Sequence, residues 1–317
     1  MSLEIIGAES LGVRSLCCLV KLRNRCIIID PGISLGYMRH GLLPHPLQIA
    51  EGRRVRDKIL QSLNNATDVV FSHFHGDHVP LIDANPYQLS IKSLPSRFHK
   101  LSCWSKSDDG LSSKMSKRFR DLSDLLGSNL KIAEGQSEGP LSFSEAVPHG
   151  ELNSNLGTLM MTRIEMDGGV FVHASDIQLL NAPTVDRVIN WQPDIVLAAG
   201  PPLYLEDLSK AERDSAWGNA LRLASNIDTV ILDHHLMRSV EGAVWLEELS
   251  SAAGTKVYCA ADFMGRPRQL LEAQRVQLYE KMHVPEGWHD AYAKGLIDTD
   301  AYFDSIGSRN GHNILMG

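Results

Sequence analysis

The amino-acid sequence predicts an α/β fold built from layers of strands and helices. Short runs rich in β-branched residues, bounded by Gly, Pro, Asn and Ser, predict strands along much of the chain. In the second half these runs alternate with stretches of helical periodicity, as layered α/β packing requires. With 317 residues, 43% of them hydrophobic and 22% charged, the chain is long enough to bury a large core without disulfide bonds.

The first third of the chain predicts strands followed by one helix. Three β-rich runs are separated by turn-forming residues, and the third ends abruptly at Asp30-Pro31-Gly32. After a loop rich in Gly, Pro and His, an apolar stripe at helical spacing predicts a helix, and a further buried strand follows it. The predicted strands are Leu3–Ile6, Cys17–Leu22, Cys26–Asp30 and Asp68–Phe71, and the helical stripe is Val55, Ile59, Leu60 and Leu63.

Beyond residue 80 the strand pattern weakens and then returns. The polar stretch from about 81 to 136 contains one amphipathic helix, which Gly127 ends. Its apolar face consists of Met115, Phe119, Leu122 and Leu126. The later predicted strands are Leu156–Glu165, Val170–His173, Ile195–Ala198, Thr229–Leu232 and Lys256–Ala260, and the later predicted helices are Glu206–Ser225 and Glu241–Ala253.

The composition argues against several classes of protein. Five scattered cysteines without a Cys-x-x-Cys pair disfavour a disulfide framework and a zinc ribbon, and they predict a reducing, cytoplasmic location. We expect no signal peptide and no membrane contact, because no apolar run approaches about 20 residues. The net charge of −7 disfavours a generally basic nucleic-acid-binding protein, although it leaves a local basic patch open. The composition leaves the oligomeric state open.

The segment Ser72-His73-Phe74-His75-Gly76-Asp77-His78 carries the strongest chemical signal. Four potential metal ligands fall within six residues, directly after a buried strand. Imidazole nitrogens suit zinc and iron, and a carboxylate adds negative charge and a hard oxygen. In an extended turn, His73 and His75 can point at one ion while Asp77 and His78 face another. The pattern His-x-His-x-Asp-His therefore predicts a binuclear metal site.

This pattern resembles the signature of the metallo-β-lactamase superfamily, whose fold is a four-layer αβ/βα sandwich with the metal ions at one edge. Later residues match the family's other motifs in order. The resemblance implies that His149, in VPHG, joins His73 and His75 on the first ion. It implies that Asp176, in HASD, bridges both ions, and that Asp30, in IIIDPG, orients the ligand loop.

The fifth motif leaves a choice between two histidines. Asp233-His234-His235 follows the strand TVIL, and the resemblance implies that this motif gives the second ion a histidine besides Asp77 and His78. We favour His235, because the residues after it align better with the family pattern. His234, Asp233 and His173 are then alternative ligands, or they hold a ligand ring by a hydrogen bond from outside.

The resemblance extends over most of the chain. The segments GAESLGVRS, IIIDPGISLG, SHFHGDHVP, HASDIQ, GPPLYL and ILDHHLMR resemble a mainly archaeal branch of uncharacterised proteins described as predicted metal-dependent hydrolases. We therefore predict a catalytic domain over 1–265, with a helical insertion at about 81–136. A helical C-terminal extension over 266–317 would pack on this domain through Leu270, Leu271, Leu278 and Met282.

The implied activity is hydrolysis by a metal-bound hydroxide. A hydroxide held by two divalent ions, zinc first and iron or manganese as alternatives, would attack a phosphoester or a carboxyl-derived bond (ester, thioester or lactone) of a small or nucleotide-like substrate. Asp77, Asp176 and Asp30 are the candidate catalytic carboxylates, and Asp77 would also accept a proton. Arg238, Tyr204 and Arg39 are candidates for binding the substrate, with a solvent-facing or structural role as the alternative for each.

Two other functions stay open. A nuclease acting on RNA or DNA would use Arg53, Arg54 and Arg56 and the basic helix over 114–120, although such runs are usually solvated helix faces. A binding protein that keeps the fold without hydrolysis is the second alternative. Such a protein would be expected to lose metal ligands, whereas every motif here keeps a chemically competent residue.

Overall fold

Two six-stranded sheets form the centre of the protein. The computed structural model describes residues 1–151 and 156–302. The first sheet has the order β1-β2-β3-β4-β5-β6, antiparallel from β1 to β3 and parallel from β3 to β6. Its strands are β1 (Ser2–Ala8), β2 (Leu16–Lys21), β3 (Cys26–Ile29), β4 (Asp68–Phe71), β5 (Ser102–Ser105) and β6 (Leu130–Ile132).

The second sheet mirrors this mixture of parallel and antiparallel pairs. Its order is β14-β13-β12-β11-β8-β7, with β12, β13 and β14 parallel and the remaining pairs antiparallel. Its strands are β7 (Ser137–Glu138), β8 (Leu141–Phe143), β11 (Thr162–Met166), β12 (Gly169–Ser175), β13 (Ile195–Ala198) and β14 (Thr229–Leu232), and a separate hairpin pairs β9 (Val147–Pro148) with β10 (Thr158–Leu159).

Helices cover both outer faces of the sheets. The helices are α1 (Pro46–Leu63), α2 (Ser113–Leu126), α3 (Ala182–Asn190), α4 (Lys210–Asn226), α5 (Val240–Ala253), α6 (Ala260–Phe263), α7 (Arg275–Lys281) and α8 (Trp288–Ala293). Short 3₁₀ turns span Ile91–Ser93, Ser96–Lys100, Gly127–Asn129 and Leu236–Arg238. Within the described ranges, no helix is both long and apolar enough to span a membrane.

The alternation of side chains in β3 separates two cores. Ile27 and Ile29 belong to the core between the two sheets, together with Phe171 of β12. Ile28 points the other way and packs with residues of α1 and α2. Because successive strand residues face opposite sides, one four-residue strand serves both layers. The result is the predicted four-layer αβ/βα sandwich.

Several strand predictions are confirmed to the residue, and others need correction. Asp68–Phe71, Ile195–Ala198 and Thr229–Leu232 have the predicted bounds. Leu156–Glu165 is instead split between β10 and β11. The strand predicted over Lys256–Ala260 is wrong: Tyr258 makes a single bridge to Ile231, and α6 begins at Ala260, because Asp233 Oδ2 accepts a hydrogen bond from its backbone N–H.

The 81–136 stretch contributes more than a helix. It contains α2, ended as predicted by Gly127, and also β5 and β6, which extend the first sheet. The sequence SCWS of β5 is too short and too polar for its period to reveal a strand.

The segment after residue 265 packs on the start of α1 and on the loop before it. Leu271 and Leu278 form a small apolar cluster with Leu47. The imidazole of His45, which caps α1, contacts the backbone carbonyl of Met282 at 3.1 Å. The boundary of the extension at 266 stays a prediction, and its last part, residues 303–317, lies outside the described residues.

Candidate metal centre

The candidate site lies where strands of both sheets end. Asp30 follows β3, Ser72 follows β4, Asp176 follows β12 and Asp233 follows β14. These strands are parallel within each sheet, so their carboxyl ends meet at one edge of the sandwich. The loops that the sequence singled out are therefore brought together at that edge.

Asp30 lies beneath the ligand loop and fixes its shape. The fully buried carboxylate accepts hydrogen bonds from the backbone N–H of Ser72 at 2.8 Å, from its hydroxyl at 2.6 Å and from Nδ1 of His78 at 3.0 Å. The Ser175 hydroxyl donates to the same carboxylate at 3.1 Å. Burial opposes ionisation of Asp30, but the hydrogen bond from His78 and the neighbouring histidines outweigh it and lower its pKa to about 2. These contacts fit the orienting role that the sequence predicts.

A first donor set consists of His73, His75, His149 and Asp176. One potential ligand atom from each lies within 4.8 Å of the others. Asp176 Oδ2 is 3.5 Å from His73 Nε2 and 4.0 Å from His75 Nδ1.

The outer nitrogens of this set are already engaged. Because the Ser72 hydroxyl donates to Asp30, Nδ1 of His73 donates to that hydroxyl, at 2.8 Å. Nδ1 of His149 donates to the carbonyl of Gly157 at 3.0 Å. These bonds turn the unprotonated Nε2 atoms of both rings inward.

A second donor set consists of Asp77, His78 and His234, with Asp176 shared between the two sets. Asp77, His78 and His234 form one metal-capable group, and Asp176, His234 and His235 form another. Asp176 Oδ1 is 3.2 Å from His78 Nε2 and 3.8 Å from His234 Nε2, and His234 Nε2 is 3.3 Å from Asp77 Oδ2. Asp176 therefore turns one oxygen to each set, as a bridging carboxylate would.

Several buried atoms that face the centre have no hydrogen-bond partner, which is unusual for buried polar groups. Nε2 of His73, His78 and His149 and Oδ1 of Asp176 are buried without a hydrogen-bond partner. Leaving such a group unpaired costs about 1–3 kcal/mol, so their convergence is hard to explain without a ligand. Nitrogen and carboxylate oxygen atoms are donors that zinc, iron and manganese accept. The residues present therefore fit the divalent ions that the fold implies.

The geometry bears on the choice between His234 and His235. His234 is fully buried and close to both Asp77 and Asp176. His235 Nε2 is 3.4 Å from Asp176 Oδ2, the oxygen that faces the first donor set. The distances therefore favour His234 for the second set, against the preference of the sequence for His235. The choice stays a prediction.

The side chains of Asp233 and His173 bind backbone groups of neighbouring loops and strands. Asp233 accepts hydrogen bonds from the backbone of Ser10 at 3.0 Å and of Ala260 at 2.8 Å, so it ties three loops together. His173 Nε2 donates to the carbonyl of Leu16 in β2 at 2.9 Å. Within the described part of the chain, neither residue belongs to a metal-capable group.

The charges of the site favour a cation. Burial opposes the ionisation of Asp77 and Asp176, but the surrounding histidines lower the pKa of both well below the ordinary range. Burial lowers the pKa of His73 to about 4 and that of His234 to about 3, so both rings are neutral near pH 7. Burial opposes protonation of His78, but Asp176 and Asp30 outweigh it and raise its pKa well above the ordinary value, so an ion bound there would displace a proton from this ring. Metal binding requires ionised carboxylates and neutral imidazoles.

Arg39, Tyr204 and Arg238 lie together beside the second donor set. Nη1 of Arg238 donates to the Tyr204 hydroxyl at 3.2 Å, and the guanidinium carbon of Arg39 lies 4.9 Å from the Tyr204 ring centroid. Nη2 of Arg238 is 2.6 Å from His234 Nε2 and 3.5 Å from Asp77 Oδ2. The three residues named as substrate-binding candidates thus form one group.

Sequence reasoning missed two of the polar residues that hold this frame, Ser72 and Glu9. Ser72 and Ser175 bond to Asp30, while Glu9 lies 3.4 Å from Arg238. Glu9 had a weak signal, because an acid at the end of an apolar strand is unusual. Ser72 had no such signal beyond its place next to a ligand.

Comparison with known proteins identifies the family. No family model matches the chain. A UPF0282 protein of Methanosarcina mazei is 46% identical over 302 residues, covering 95% of this chain and 99% of the relative. The chain therefore belongs to the UPF0282 family, which agrees with the archaeal branch inferred from the sequence.

Solved structures support the fold. The metallo-beta-lactamase fold protein YhfI of Bacillus subtilis superposes with a TM-score of 0.51 at 14% identity, covering 81% of this chain and 94% of that one. A metal-dependent hydrolase of the beta-lactamase superfamily gives 0.50 at 12% identity, again covering 81% and 94%. At such low identity these likenesses establish the metallo-β-lactamase fold alone.

Proposed function

We propose that this protein is a metal-dependent hydrolase with two divalent ions, and that its substrate is a small or nucleotide-like molecule. One observation carries the proposal: two donor sets share the Asp176 carboxylate, and their inward-facing buried atoms include four that have no hydrogen-bond partner. His73, His75, His149 and Asp176 would hold the first ion, and Asp77, His78, His234 and Asp176 the second. Zinc suits these donors best, with iron and manganese as alternatives.

The chemistry divides between the ions and the side chains. Divalent ions bound there would lower the pKa of a water molecule and polarise the oxygen of the scissile bond. The Asp77 side chain is 17% exposed, and among the carboxylates of the site it lies nearest to solvent. It would accept the proton that the attacking water loses. Asp30 and its hydrogen bonds would keep the ligand loop in place while this happens.

The bond cleaved is a phosphoester or a carboxyl-derived bond, because both develop negative charge on an oxygen that the ions would stabilise. A cytoplasmic location is part of the proposal. All five cysteines are free, and Cys17, Cys18, Cys103 and Cys259 are buried, which suits a reducing compartment.

The test is an assay of the metal-loaded protein on chromogenic phosphodiester, phosphomonoester, carboxylic ester, thioester and lactone substrates. We expect one class to be hydrolysed, and we expect Asp176→Asn to reduce that rate to background. Asp167→Asn is the matched control: Asp167 is exposed, lies at the β11–β12 turn and pairs with Arg23, and this change should leave the rate intact. If Asp176→Asn kept the wild-type rate, as Asp167→Asn should, the assignment of the centre would be contradicted.

The nuclease alternative is weakened by the partners of its basic residues. Arg54 pairs with Glu51, Arg56 donates to the carbonyls of Pro86 and Gln88, and Lys117 pairs with Asp121 at 2.7 Å. A nuclease with 6–10 phosphate contacts would lose about 10³–10⁵ in affinity between 50 and 200 mM salt. A small-molecule hydrolase would lose far less, so a salt titration of KM separates the two functions.

A further inference from the structure

A tight hairpin turn places Arg39 at the edge of the site. The backbones of Arg39 and Leu42 exchange hydrogen bonds at 3.0 and 2.9 Å across His40 and Gly41, which both have positive φ. This is the backbone of a two-residue hairpin turn, for which glycine at the second position is favoured. Arg275 donates to the carbonyl of Leu42 at 3.0 Å and holds the turn against the body.

Arg39 and Arg238 lie on either side of the same tyrosine. Their guanidinium carbons are 4.9 and 5.8 Å from the centroid of the Tyr204 ring. Tyr204 follows the Gly200-Pro201-Pro202 turn at the end of β13, and Arg238 ends the 3₁₀ turn after His235. Three loops at the carboxyl edge of the sheets thus converge on one place.

Arginines outnumber glutamates around this place. Glu272 is fully buried and forms a bidentate ion pair with Arg14. It also lies 4.0 Å from Arg39. Glu9 is fully buried, 3.4 Å from Nε of Arg238. The arginine cluster therefore contains four arginines for two glutamates: Arg14, Arg39, Arg238 and Arg275 against Glu9 and Glu272.

The imbalance is increased by the state of Glu9. Burial, followed by the neighbouring Glu272, raises the pKa of Glu9 to about 8, so this carboxyl contributes little negative charge near pH 7. Asp77 approaches Arg238, but it belongs to the second donor set. Arg238 and Arg275 are buried, whereas Arg14 and Arg39 are partly exposed. Charged groups are rarely buried without a partner, so a surplus of arginine that reaches the surface at Arg39 favours an anionic ligand there.

Donor groups in this place also lack acceptors. Nε of Arg39 is buried without a hydrogen-bond partner, and Glu272 is 4.0 Å away from it. Nε of Arg238 also makes no hydrogen bond, although it forms an ion pair with Glu9 at 3.4 Å. The Arg238 side chain is 8% exposed, and that of Arg39 is 18% exposed. A bound oxyanion would supply acceptors to these guanidinium groups, whose planar forks match the geometry of phosphate and carboxylate.

We propose that Arg39, Arg238 and Tyr204 form an anion site that binds an oxyanion group, phosphate or carboxylate, of the substrate next to the metal centre. The group would lie beside Asp77, whose Oδ2 is 3.5 Å from Arg238, and so within reach of the bond to be cleaved. This inference rests on the proposed hydrolase for its meaning, but anion binding itself is measurable without turnover.

The experiment compares the zinc-loaded wild-type protein with Arg39→Gln. Inorganic phosphate and acetate are titrated calorimetrically, and metal content is measured on the same samples. We expect the Kd for at least one anion to rise about tenfold or more in Arg39→Gln, the size of a lost charge-assisted hydrogen bond. Arg23→Gln is the matched control, because Arg23 is 83% exposed and precedes β3, at the opposite end of that strand from Asp30.

Two further measurements keep the outcome unambiguous. Arg39→Lys keeps the positive charge but removes the planar guanidinium group, so this variant should bind the anion with intermediate affinity. Tyr204→Phe removes only the hydroxyl and should weaken binding a few-fold. The stronger response, to phosphate or to acetate, identifies the chemistry of the group. Unchanged Kd values for both anions in Arg39→Gln, at unchanged metal content, would overturn the anion site.

The anion site and the hydrolase can fail separately. If the protein hydrolyses an ester, we expect Arg39→Gln to lower the ratio of kcat/KM for an anionic ester to that for a neutral ester of the same bond type about tenfold. Phosphate binding that depends on Arg39 in a protein that cleaves no ester supports the anion site and contradicts the hydrolase. If Arg39→Gln changes neither the ratio of kcat/KM values nor the Kd for the anions while the ester is still hydrolysed, the hydrolase is supported and the anion site is contradicted.

Discussion

At the scale of single residues, the candidate centre depends on which nitrogen each histidine keeps free. Asp30, Ser72 and the carbonyl of Gly157 accept the Nδ1 protons of His78, His73 and His149. These hydrogen bonds leave Nε2 of each ring turned toward Asp176. A hydrogen bond from the outer nitrogen fixes the tautomer and the orientation of a ligand ring. The frame is therefore prepared by residues that need not touch an ion.

The second donor set makes a prediction about neighbouring histidines. We expect His234→Ala to lower the zinc bound per chain more than His235→Ala, because His234 Nε2 lies near both Asp77 and Asp176. An ion at this nitrogen would replace the hydrogen bond from Arg238. Elemental analysis after dialysis at limiting zinc measures the difference. A greater loss in His235→Ala would return the ligand role to the residue that the sequence favoured.

Single residues also mark the limit of prediction from sequence. The motif from His73 to His78 was visible because its ligands are adjacent in the chain. Arg39, Tyr204 and Arg238 were named only as separate candidates, since nothing in the sequence shows that they share one ring contact. Ser72 was missed because a serine next to a ligand has no distinctive pattern, and Glu9 was missed because the packing of the two sheets alone brings it close to Arg238.

At the scale of elements, strands with regular apolar patterns were predictable and polar edge strands were not. Thr229–Leu232 consists of β-branched and apolar residues and has the predicted bounds. β5 contains two serines in four residues, and β6 lies at the sheet edge with two exposed residues. Such strands depend on pairing with a neighbour more than on their own pattern.

The turn after β3 links fold to site through Gly32. A Cβ at this position would lie 2.3 Å from the backbone of His78 and Val79. Backbone atoms cannot move aside cheaply, so we expect Gly32→Ala to displace the ligand loop, lower the zinc content and destabilise the fold by about 1–3 kcal/mol. Urea denaturation and elemental analysis measure both effects.

Gly218 in α4 offers the matched control for this substitution. A Cβ there meets no atom within 4 Å, so Gly218→Ala should leave zinc content unchanged and stabilise the protein by up to about 1 kcal/mol. Equal zinc content in Gly32→Ala and the wild type would show that the loop does not depend on this close approach.

His45 makes the docking of the C-terminal helices sensitive to acid. Its Nδ1 accepts a hydrogen bond from the N–H of Leu47, and its Nε2 donates to the carbonyl of Met282, so the ring must be neutral. Burial lowers its pKa from 6.5 to about 4. A lowered folded-state pKa means that this stabilisation is complete above about pH 6.5 and is lost as pH falls toward 4.

The expected result is a faster hydrogen exchange of α7 and α8 as the pH falls from 6.5 to 4.5, after correction for intrinsic exchange. His45→Asn is the control, because an asparagine oxygen can cap α1 without titrating. The variant should have a flatter pH dependence, so the difference between the two proteins isolates His45 from the carboxylates. Identical profiles would assign the acid sensitivity to other groups.

At the scale of the whole molecule, the centre depends on both halves of the sandwich. The first sheet supplies Asp30 and the ligand loop, and the second supplies Asp176 and the loop of His234. The layered architecture was predictable because strand and helix periods alternate along the chain and the motifs occur in order. The packing of residues after 265 on the loop of Arg39 was only partly predictable, because Arg275 and Tyr279 reach this loop through the backbone carbonyls of Leu42 and Leu43.

The most direct test of the account is the amount of metal bound per chain. The protein is incubated separately with zinc, iron(II) and manganese(II), dialysed, and examined by elemental analysis beside Asp176→Ala. We predict about two equivalents of at least one of these metals in the wild type and a clear loss in the variant, because Asp176 faces both donor sets. A wild-type protein that stays metal-free with all three ions would contradict the proposed centre, while leaving the fold unaffected.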